Sequence, residues 1–125
     1  LSFTKVTDAG LKELAKMQTL ISLNLSFTKV IGTGLKELAK MQKLEYLSLN
    51  GTKITDTSLK QLAKMQQLKT LTLWRTQITD AGLKEVAKLQ KLLVLQLADT
   101  KVTKGGVAEF QKALPKCQIH GKPVK

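Results

Sequence analysis

The sequence repeats itself every 24 residues, and this period restricts the possible folds more than any other feature. The step is kept by leucines at 23, 47, 71 and 95, by leucines at 25, 49, 73 and 97, and by threonines at 4, 28, 52, 76 and 100. The unit reads L-x-x-L-x-L-x-x-T-x-[VI]-T-D-x-G-L-K-x-L-A-K-M-Q-x. A fixed period of this kind indicates a repeat architecture, in which stacked units share one core.

Each unit contains two hydrophobic periods. In LEYLSLN, Leu47 and Leu49 lie two residues apart, which predicts a short strand. In GLKELAKMQ, Leu35, Leu38 and Met41 fall on one face of a helix whose other face is charged. A strand, a helix and a return within 24 residues require neighbouring strands to be parallel, and such crossovers are nearly always right-handed. The sequence therefore predicts an α/β array.

One domain of repeated units is expected along the whole chain. Its predicted parts are a truncated first repeat at 1–19, full repeats at 20–43, 44–67 and 68–91, a last repeat at 92–113, and a C-terminal strand and cap at 114–125. Leu114, Cys117 and Ile119 restate the leucine pattern after 22 residues instead of 24, so we expect them to form the closing strand.

The pattern LxxLxLxxT followed by xVTDAGLKELA resembles the leucine-rich repeat over nearly the whole chain. It is most similar to short, Thr-bearing bacterial repeats, particularly those of planctomycetes, and more distantly to the cysteine-containing repeats of F-box substrate receptors. Thr stands where the usual repeat has Asn or Cys. The resemblance implies a right-handed solenoid with a parallel sheet on the concave side and helices on the convex side. It also implies a ligand, usually a protein, on the concave face.

Residue content disfavours an enzyme. The 125 residues include one histidine, His120, and one cysteine, Cys117, with no paired carboxylates and no glycine-rich phosphate loop. Two ligands are too few for a zinc site, so we expect no metal and no cofactor. Cys117 is expected to be a small buried hydrophobic residue. No apolar run approaches the roughly 18 residues of a membrane span.

Thr-Asp pairs precede three of the predicted helices. The pairs are Thr7 and Asp8, Thr55 and Asp56, and Thr79 and Asp80. Such side chains accept an orphan backbone N–H at a helix start, so we interpret them as helix caps, with a metal or acid–base site as the alternative. The second repeat has Ile31 and Gly32 at these positions, which predicts a helix start that frays more readily.

The threonine series is interpreted as a structural ladder. Its members are Thr4, Thr28, Thr52, Thr76 and Thr100. We expect the hydroxyls to bond the backbone where each strand leaves the sheet, because an unpaired group there is costly. The alternative, a row of nucleophiles, lacks a neighbouring base.

The net charge of +12 raises the question of an anionic partner. Of the 21 basic residues only Arg75 is arginine, which favours a solvated surface over bidentate phosphate recognition. Two lysine ladders follow the helical side, at 12, 36, 60 and 84 and at 16, 40, 64, 88 and 112. We interpret them as a solvated face, with docking on nucleic acid or another anionic polymer or surface as the alternative.

Residues that break the repeat on the outward side of the strands are the candidates for ligand binding. We predict a ligand-binding strip formed by Tyr46, Trp74, Arg75, Asn24, Asn50, Gln96 and Thr72, centred on the first three. Trp beside Arg is typical of a binding hot spot, and the alternative is that Trp74 only packs over the sheet. Equivalent residues of adjacent units should lie within about 5 Å. We therefore expect Asp99 to neutralise part of the Arg75 charge and Glu45 to meet Lys69.

The sequence thus predicts a non-enzymatic module that binds another macromolecule, foremost a protein, through its concave sheet. Electrostatic docking through the convex lysines is the second hypothesis, and a structural spacer of a larger protein is the third. No N-terminal cap is visible, which predicts exposed core at Leu1, Phe3 and Leu11 and self-association through that end.

Overall fold

The computed structural model describes residues 8–30 and 32–123, and within them five helices alternate with five strands. The helices are α1 (Asp8–Leu14), α2 (Gly32–Leu38), α3 (Asp56–Leu62), α4 (Asp80–Val86) and α5 (Lys104–Ala113). The strands are β1 (Ser22–Asn24), β2 (Tyr46–Ser48), β3 (Thr70–Thr72), β4 (Val94–Gln96) and β5 (Gln118–His120).

The strands form one parallel sheet in chain order, as the sequence predicts. Each residue pairs with its equivalent in the next unit, so that Leu23, Leu47, Leu71, Leu95 and Ile119 form a single row. Neighbouring strands lie about 4.8 Å apart, whereas packed helices need about 8 to 10 Å. The array therefore curves, with the sheet on the concave side and the helices on the convex side.

The closing strand differs from the prediction. Ile119 pairs with Leu95, so β5 keeps the regular register and is not shifted by two residues. The reason is compensation within the last unit. Helix α5 has 10 residues where the other helices have seven. The connection from α5 to β5 is shorter than the one from α4 to β4 by the same number of residues. Cys117 therefore precedes the strand instead of occupying an inward leucine position, although it is buried.

One continuous hydrophobic core runs through the described units. Strand leucines such as Leu47 and helix leucines such as Leu59 are fully buried in it, and each unit shares its inner surface with both neighbours. Leu11 is also fully buried, so the prediction that it is exposed is wrong; it belongs to the same core, and α1 packs against α2. The predictions of exposed core at residues 1 and 3, of the threonine ladder at residue 4 and of helix caps at residues 7 and 8 concern positions or side chains outside the described residues.

Two aspartates link adjacent units. The Asp56 carboxylate accepts the Thr79 backbone N–H at 2.8 Å and the Thr79 hydroxyl at 2.6 Å. Asp80 bonds to Thr103 in the same way, at 2.8 and 2.6 Å. The N-caps of α4 and α5 are the threonines, whose hydroxyls accept a backbone N–H of the first turn. The Thr-Asp pair thus divides its roles: the threonine caps its own helix, and the aspartate binds the start of the next one.

A glycine in the next helix makes room for each carboxylate. A Cβ at Gly82 would collide with the Asp56 carboxylate, and one at Gly106 would collide with that of Asp80. The aspartate of one unit and the glycine of the next are therefore a matched pair.

The second and third units replace this pair together. The second unit has Gly32 at the aspartate position, and the third has Ser58 at the glycine position. The Ser58 hydroxyl accepts the Thr55 backbone N–H at 3.2 Å, which is the group that a carboxylate would otherwise bind. The serine thus compensates for the missing aspartate.

We predict that Gly32→Asp and Ser58→Gly are strongly coupled. Gly32→Asp alone should destabilise the fold, because the carboxylate would meet the Ser58 side chain. Ser58→Gly alone should cost about 1 kcal/mol, since the Thr55 N–H loses its acceptor. Together they recreate the aspartate–glycine pair, and the double variant should be at least as stable as the original chain. Urea unfolding of all four proteins should give a coupling free energy of about 1 to 3 kcal/mol, and additive effects would contradict the pairing.

Candidate functional site

Trp74 lies at the centre of a cluster of three side chains just beyond the end of the sheet, which we call the aromatic cluster (Phe27, Trp74 and Arg75). The Arg75 guanidinium carbon lies 5.4 Å from the centroid of the Trp74 ring, within cation–π range. The Phe27 ring meets Trp74 edge to face, with centroids 5.8 Å apart and ring planes at 84°. Phe27 is 57% exposed, so the cluster is an apolar projection into solvent and not part of the core.

The backbone of this cluster is in an unfavourable conformation. The φ angles of Phe27 and Arg75 are 59° and 56°, and Asp99 has 55° at the equivalent position of the next unit. Gly51 occupies the same position between them, with a φ of 67°. A residue with a Cβ pays roughly 1 to 2 kcal/mol for the left-handed conformation, whereas glycine does not. The scaffold favours glycine here, and Phe27 and Arg75 stand in its place.

Gly51 allows Phe27 to reach Trp74 across an intervening repeat. The Phe27 ring lies where a Cβ of residue 51 would be. Phe27 is absent from the binding strip predicted from the sequence, because the 24-residue period indicates contacts between neighbouring units only. The available signal was a glycine between two large residues in one column of equivalent positions.

Of the two expected ion pairs, one forms. Glu45 and Lys69 lie 3.4 Å apart, which confirms that pair. Arg75 donates its backbone N–H to the Ala98 carbonyl at 3.0 Å, so Arg75 and Asp99 do follow each other on the ladder. Their side chains nevertheless make no ion pair in the part of the chain that the structure describes, because Arg75 turns toward Trp74. The expected neutralisation of Arg75 by Asp99 is therefore wrong.

Three predicted ligand-binding amides hold the backbone with their oxygens. Asn24 accepts the Ser26 N–H at 2.9 Å, Asn50 accepts the Trp74 N–H at 2.8 Å, and Gln96 accepts the Ala98 N–H at 2.8 Å. The amide of Asn50 thereby fixes the backbone of Trp74 from the preceding unit. Each amide keeps its NH₂ group, so what these side chains can offer a ligand is donors.

Thr72 belongs to a chain of hydroxyls across three strands. Its hydroxyl donates to Ser48 Oγ at 2.8 Å, and Ser48 Oγ lies 2.6 Å from Ser26 Oγ. Ser48 is buried by these neighbours although it lies on the sheet face. The hydroxyls are thus satisfied within the protein.

Tyr46 stands apart from the aromatic cluster. It pairs with Thr70 at the start of β3, and Trp74 follows four residues later. At about 3.3 Å per residue this separates the rows of Tyr46 and Trp74 by roughly 13 Å. Tyr46 is exposed, as are Ile21 and Leu93 just before β1 and β4. The predicted strip therefore has apolar residues at both ends of the strands.

The threonine ladder has no free hydroxyl among its described members. Thr28, Thr52, Thr76 and Thr100 donate to the carbonyls of Leu25, Leu49, Leu73 and Leu97 at 2.7 to 2.8 Å. Each bond turns the chain out of the sheet, and each hydroxyl is committed to the backbone.

Cys117 and His120 do not form a reactive pair. Cys117 is buried, which raises the pKa of its thiol to about 11 and keeps it protonated at neutral pH. His120 is exposed, and the hydrogen bond of the Cys117 thiol goes to the Gln118 carbonyl at 3.9 Å and not to His120. In the described part of the chain no three potential metal ligands come together. No helix within that part is long and apolar enough to cross a membrane.

The convex face carries one neutralised and one unneutralised lysine ladder. In the second ladder Lys16, Lys40, Lys88 and Lys112 pair with glutamates three residues earlier, at 2.8 to 3.2 Å. The Lys40 hydrogen bond lowers the pKa of Glu37. In α3 the partner is Gln61, which leaves Lys64 unneutralised. Lys12, Lys36, Lys60 and Lys84 are exposed and have no ion-pair partner among the residues described.

We predict a stability difference at alkaline pH that isolates Cys117. The thiol is protonated in the folded chain up to about pH 11, whereas the unfolded chain loses this proton at its ordinary, lower pKa. The stabilisation by Cys117 should therefore be complete below about pH 8.5 and be lost as the pH rises toward 11. Urea unfolding of the original chain and of Cys117→Ala should give free energies that converge over this range. A constant difference would contradict a buried, protonated thiol.

Comparison with known proteins identifies the repeat. The leucine-rich-repeat family model matches residues 16–39 and 40–63. A leucine-rich-repeat protein of Leptospira interrogans is 27% identical with a TM-score of 0.69, over 86% of this chain and 27% of that protein. Internalin C2 of Listeria monocytogenes is 30% identical with a TM-score of 0.71, over 94% of this chain and 47% of that one.

A second internalin of Listeria monocytogenes, 20% identical, shares the fold over 97% of this chain and 39% of its own length, with a TM-score of 0.62. This chain thus spans less than half of each of the three structures. A search of curated protein sequences found no significant match. The matches establish the repeat family but not a planctomycete-like or F-box-like subtype. On the parallel sheet, the repeated unit and these matches together, the chain is a leucine-rich-repeat protein.

Proposed function

We propose that this chain is a non-catalytic module that binds a protein partner on its concave sheet face, with the aromatic cluster at the centre of the contact. Leucine-rich repeats commonly serve as protein–protein interaction modules, and the proteins that carry them are typically non-enzymatic. The observation that carries the proposal is the cluster in which exposed Phe27 and Arg75, both at left-handed backbone positions, pack on the half-buried Trp74.

Two properties of the cluster suit a binding hot spot. Trp and Arg are enriched at positions where truncation costs 2 kcal/mol or more of binding free energy. The Asn50 bond to the Trp74 backbone and the packing of both neighbours on the ring hold Trp74 in one arrangement before a partner arrives. A preorganised side chain loses less conformational entropy on binding.

The adjoining sheet face suits burial. The outward positions of β1 to β4 hold hydroxyls, amides, Tyr46 and Val94, and none of them is charged. A partner that covers this face does not have to remove charges from water, which would be costly. In a chain whose residues are 24% charged, this neutral strip is a distinct surface.

The alternative is electrostatic docking on nucleic acid or another anionic polymer through the convex lysines. It is favoured by the ladder of Lys12, Lys36, Lys60 and Lys84, which lacks ion pairs within the described residues. A structural spacer role would require neither surface to bind.

We predict that peptides selected on the immobilised chain bind through Trp74. A random peptide library gives the ligands, and calorimetry at about 0.15 M salt gives their affinities. Trp74→Ala should weaken binding about thirtyfold, which corresponds to the loss of one hot spot. The convex control, with Lys36, Lys60 and Lys84 all changed to Ala, should bind as the original chain does. Loss of binding in that control together with a steep salt dependence would support the alternative instead.

We also predict that Phe27→Gly separates binding from stability. The substitution removes an exposed ring and relieves a left-handed Phe, so the free energy of unfolding should change by less than about 1 kcal/mol. Binding of the selected peptides should nevertheless fall. Asp99→Gly is the matched control, because it relieves the same backbone conformation outside the cluster and should leave binding intact. A large loss of stability in Phe27→Gly would mean that the cluster serves the fold.

A further inference from the structure

We propose that the partner contributes a short acidic segment, and that this segment lies along a row of cations where the strands leave the sheet. This inference rests on the proposed function and specifies the chemistry of the partner. The row, which we call the basic rim, consists of Lys29, Lys53, Arg75 and Lys101.

The backbone ladder arranges the rim. The N–H groups of Phe27, Gly51 and Arg75 donate to the carbonyls of Asn50, Trp74 and Ala98 at 2.7 to 3.0 Å, so the ladder continues past the strands. Lys29 and Lys53 follow Phe27 and Gly51 by two residues, and Lys101 follows Asp99 in the same way. The threonine between is buried or half-buried, and each lysine is exposed. Every unit from the second to the fifth thus carries a cation at this turn.

The charges of the rim are unpaired within the described chain. None of its four members makes an ion pair there, and Asp99, an acidic residue at the same turn, is not bonded to Arg75. By contrast, most lysines of the second convex ladder have a glutamate partner. Carboxylates from a partner would therefore meet cations that are not engaged in an ion pair with any described residue.

The rim shares Arg75 with the aromatic cluster, so apolar and cationic groups are presented together. Four rungs at about 4.8 Å extend over roughly 15 Å, which is the length of four to five extended residues at 3.3 Å each. An extended segment points alternate side chains to opposite faces, so it could place carboxylates on the rim and an apolar residue on Phe27 and Trp74. The fitting ligand is an acidic stretch with interspersed apolar residues.

Single-stranded nucleic acid fits this surface less well. Base stacking needs open ring faces, whereas the Phe27 and Trp74 rings stand at 84° to each other and Arg75 lies over the Trp74 ring. The rim also contains three lysines and only one arginine, and arginine is the better group for planar phosphate contacts. The observations therefore favour an acidic peptide over an oligonucleotide.

The test uses a fluorescent peptide of alternating Glu and Leu, about ten residues long, and the same peptide with Gln for Glu. An oligothymidylate of similar length is the third probe, and fluorescence anisotropy gives the affinities. Lys29→Glu with Lys53→Glu, which we call the rim reversal, reverses the charge at two of the four rim positions without touching Trp74. Lys60→Glu with Lys84→Glu is the matched convex control, since it changes the net charge equally. Circular dichroism verifies that both double variants are folded.

We expect the rim reversal to weaken binding of the Glu peptide at least tenfold, and the convex control to change it less than twofold. The Gln peptide should bind the original chain at least tenfold more weakly than the Glu peptide does. Equal losses in both double variants would overturn the rim as the site. Tighter, rim-dependent binding of the oligothymidylate would overturn the acidic peptide as the partner.

Trp74→Ala separates this inference from the proposed function. If the Gln peptide binds as tightly as the Glu peptide and both depend on Trp74, the proposed surface stands and the acidic partner is overturned. If Glu-peptide binding depends on the rim and is unchanged by Trp74→Ala, the acidic preference stands and the aromatic centre of the proposed function fails. Loss with both Trp74→Ala and the rim reversal supports the two together.

Discussion

The parallel hydrogen-bond register between neighbouring units is the constraint on which the other features of this protein depend. Every strand residue lies opposite its equivalent in the next unit, from β1 to β5. A slip of one residue would turn every leucine of a strand to the solvent face, so the buried row fixes the register strongly. Because the register is constant, residues at equivalent positions of the repeat lie side by side and form a row across the units. The buried leucines, the threonine ladder and the left-handed positions of Phe27, Gly51, Arg75 and Asp99 are three such rows.

On the helical side, aspartate hydrogen bonds between adjacent units keep the same 24-residue spacing. The carboxylates of Asp56 and Asp80 bind the start of the following helix, and a glycine of that helix leaves them room. Where the aspartate is missing, Ser58 supplies the acceptor from within its own helix. A residue choice in one unit is thus matched by a choice in the next. Such agreement between local contacts is what separates the native arrangement from competing ones.

The sequence was sufficient for most of the fold and for one expected ion pair, because both follow from the repeat. Periodicity reveals which positions are equivalent, so it yields the sheet, the core and the Glu45–Lys69 pair. It does not reveal which of two neighbouring residues a side chain contacts. Arg75 could reach Trp74 or Asp99, and it lies over the Trp74 ring. The register of β5 was also hidden, because a longer helix and a shorter connection cancel. Phe27 reaches two units away only because Gly51 has no side chain.

Backbone conformation gives an independent reason to seek function where the strands end. The repeat position occupied by Phe27, Gly51, Arg75 and Asp99 has a left-handed backbone, and Gly51 adopts this conformation without strain. Phe27 and Arg75 are less favourable there by roughly 1 to 2 kcal/mol each, an appreciable part of the 5 to 15 kcal/mol that stabilises a typical domain. Edge-to-face and cation–π contacts with Trp74 offset part of this cost. Residues that add little to the fold, break its pattern and project apolar surface into water therefore support the proposed contact with a partner.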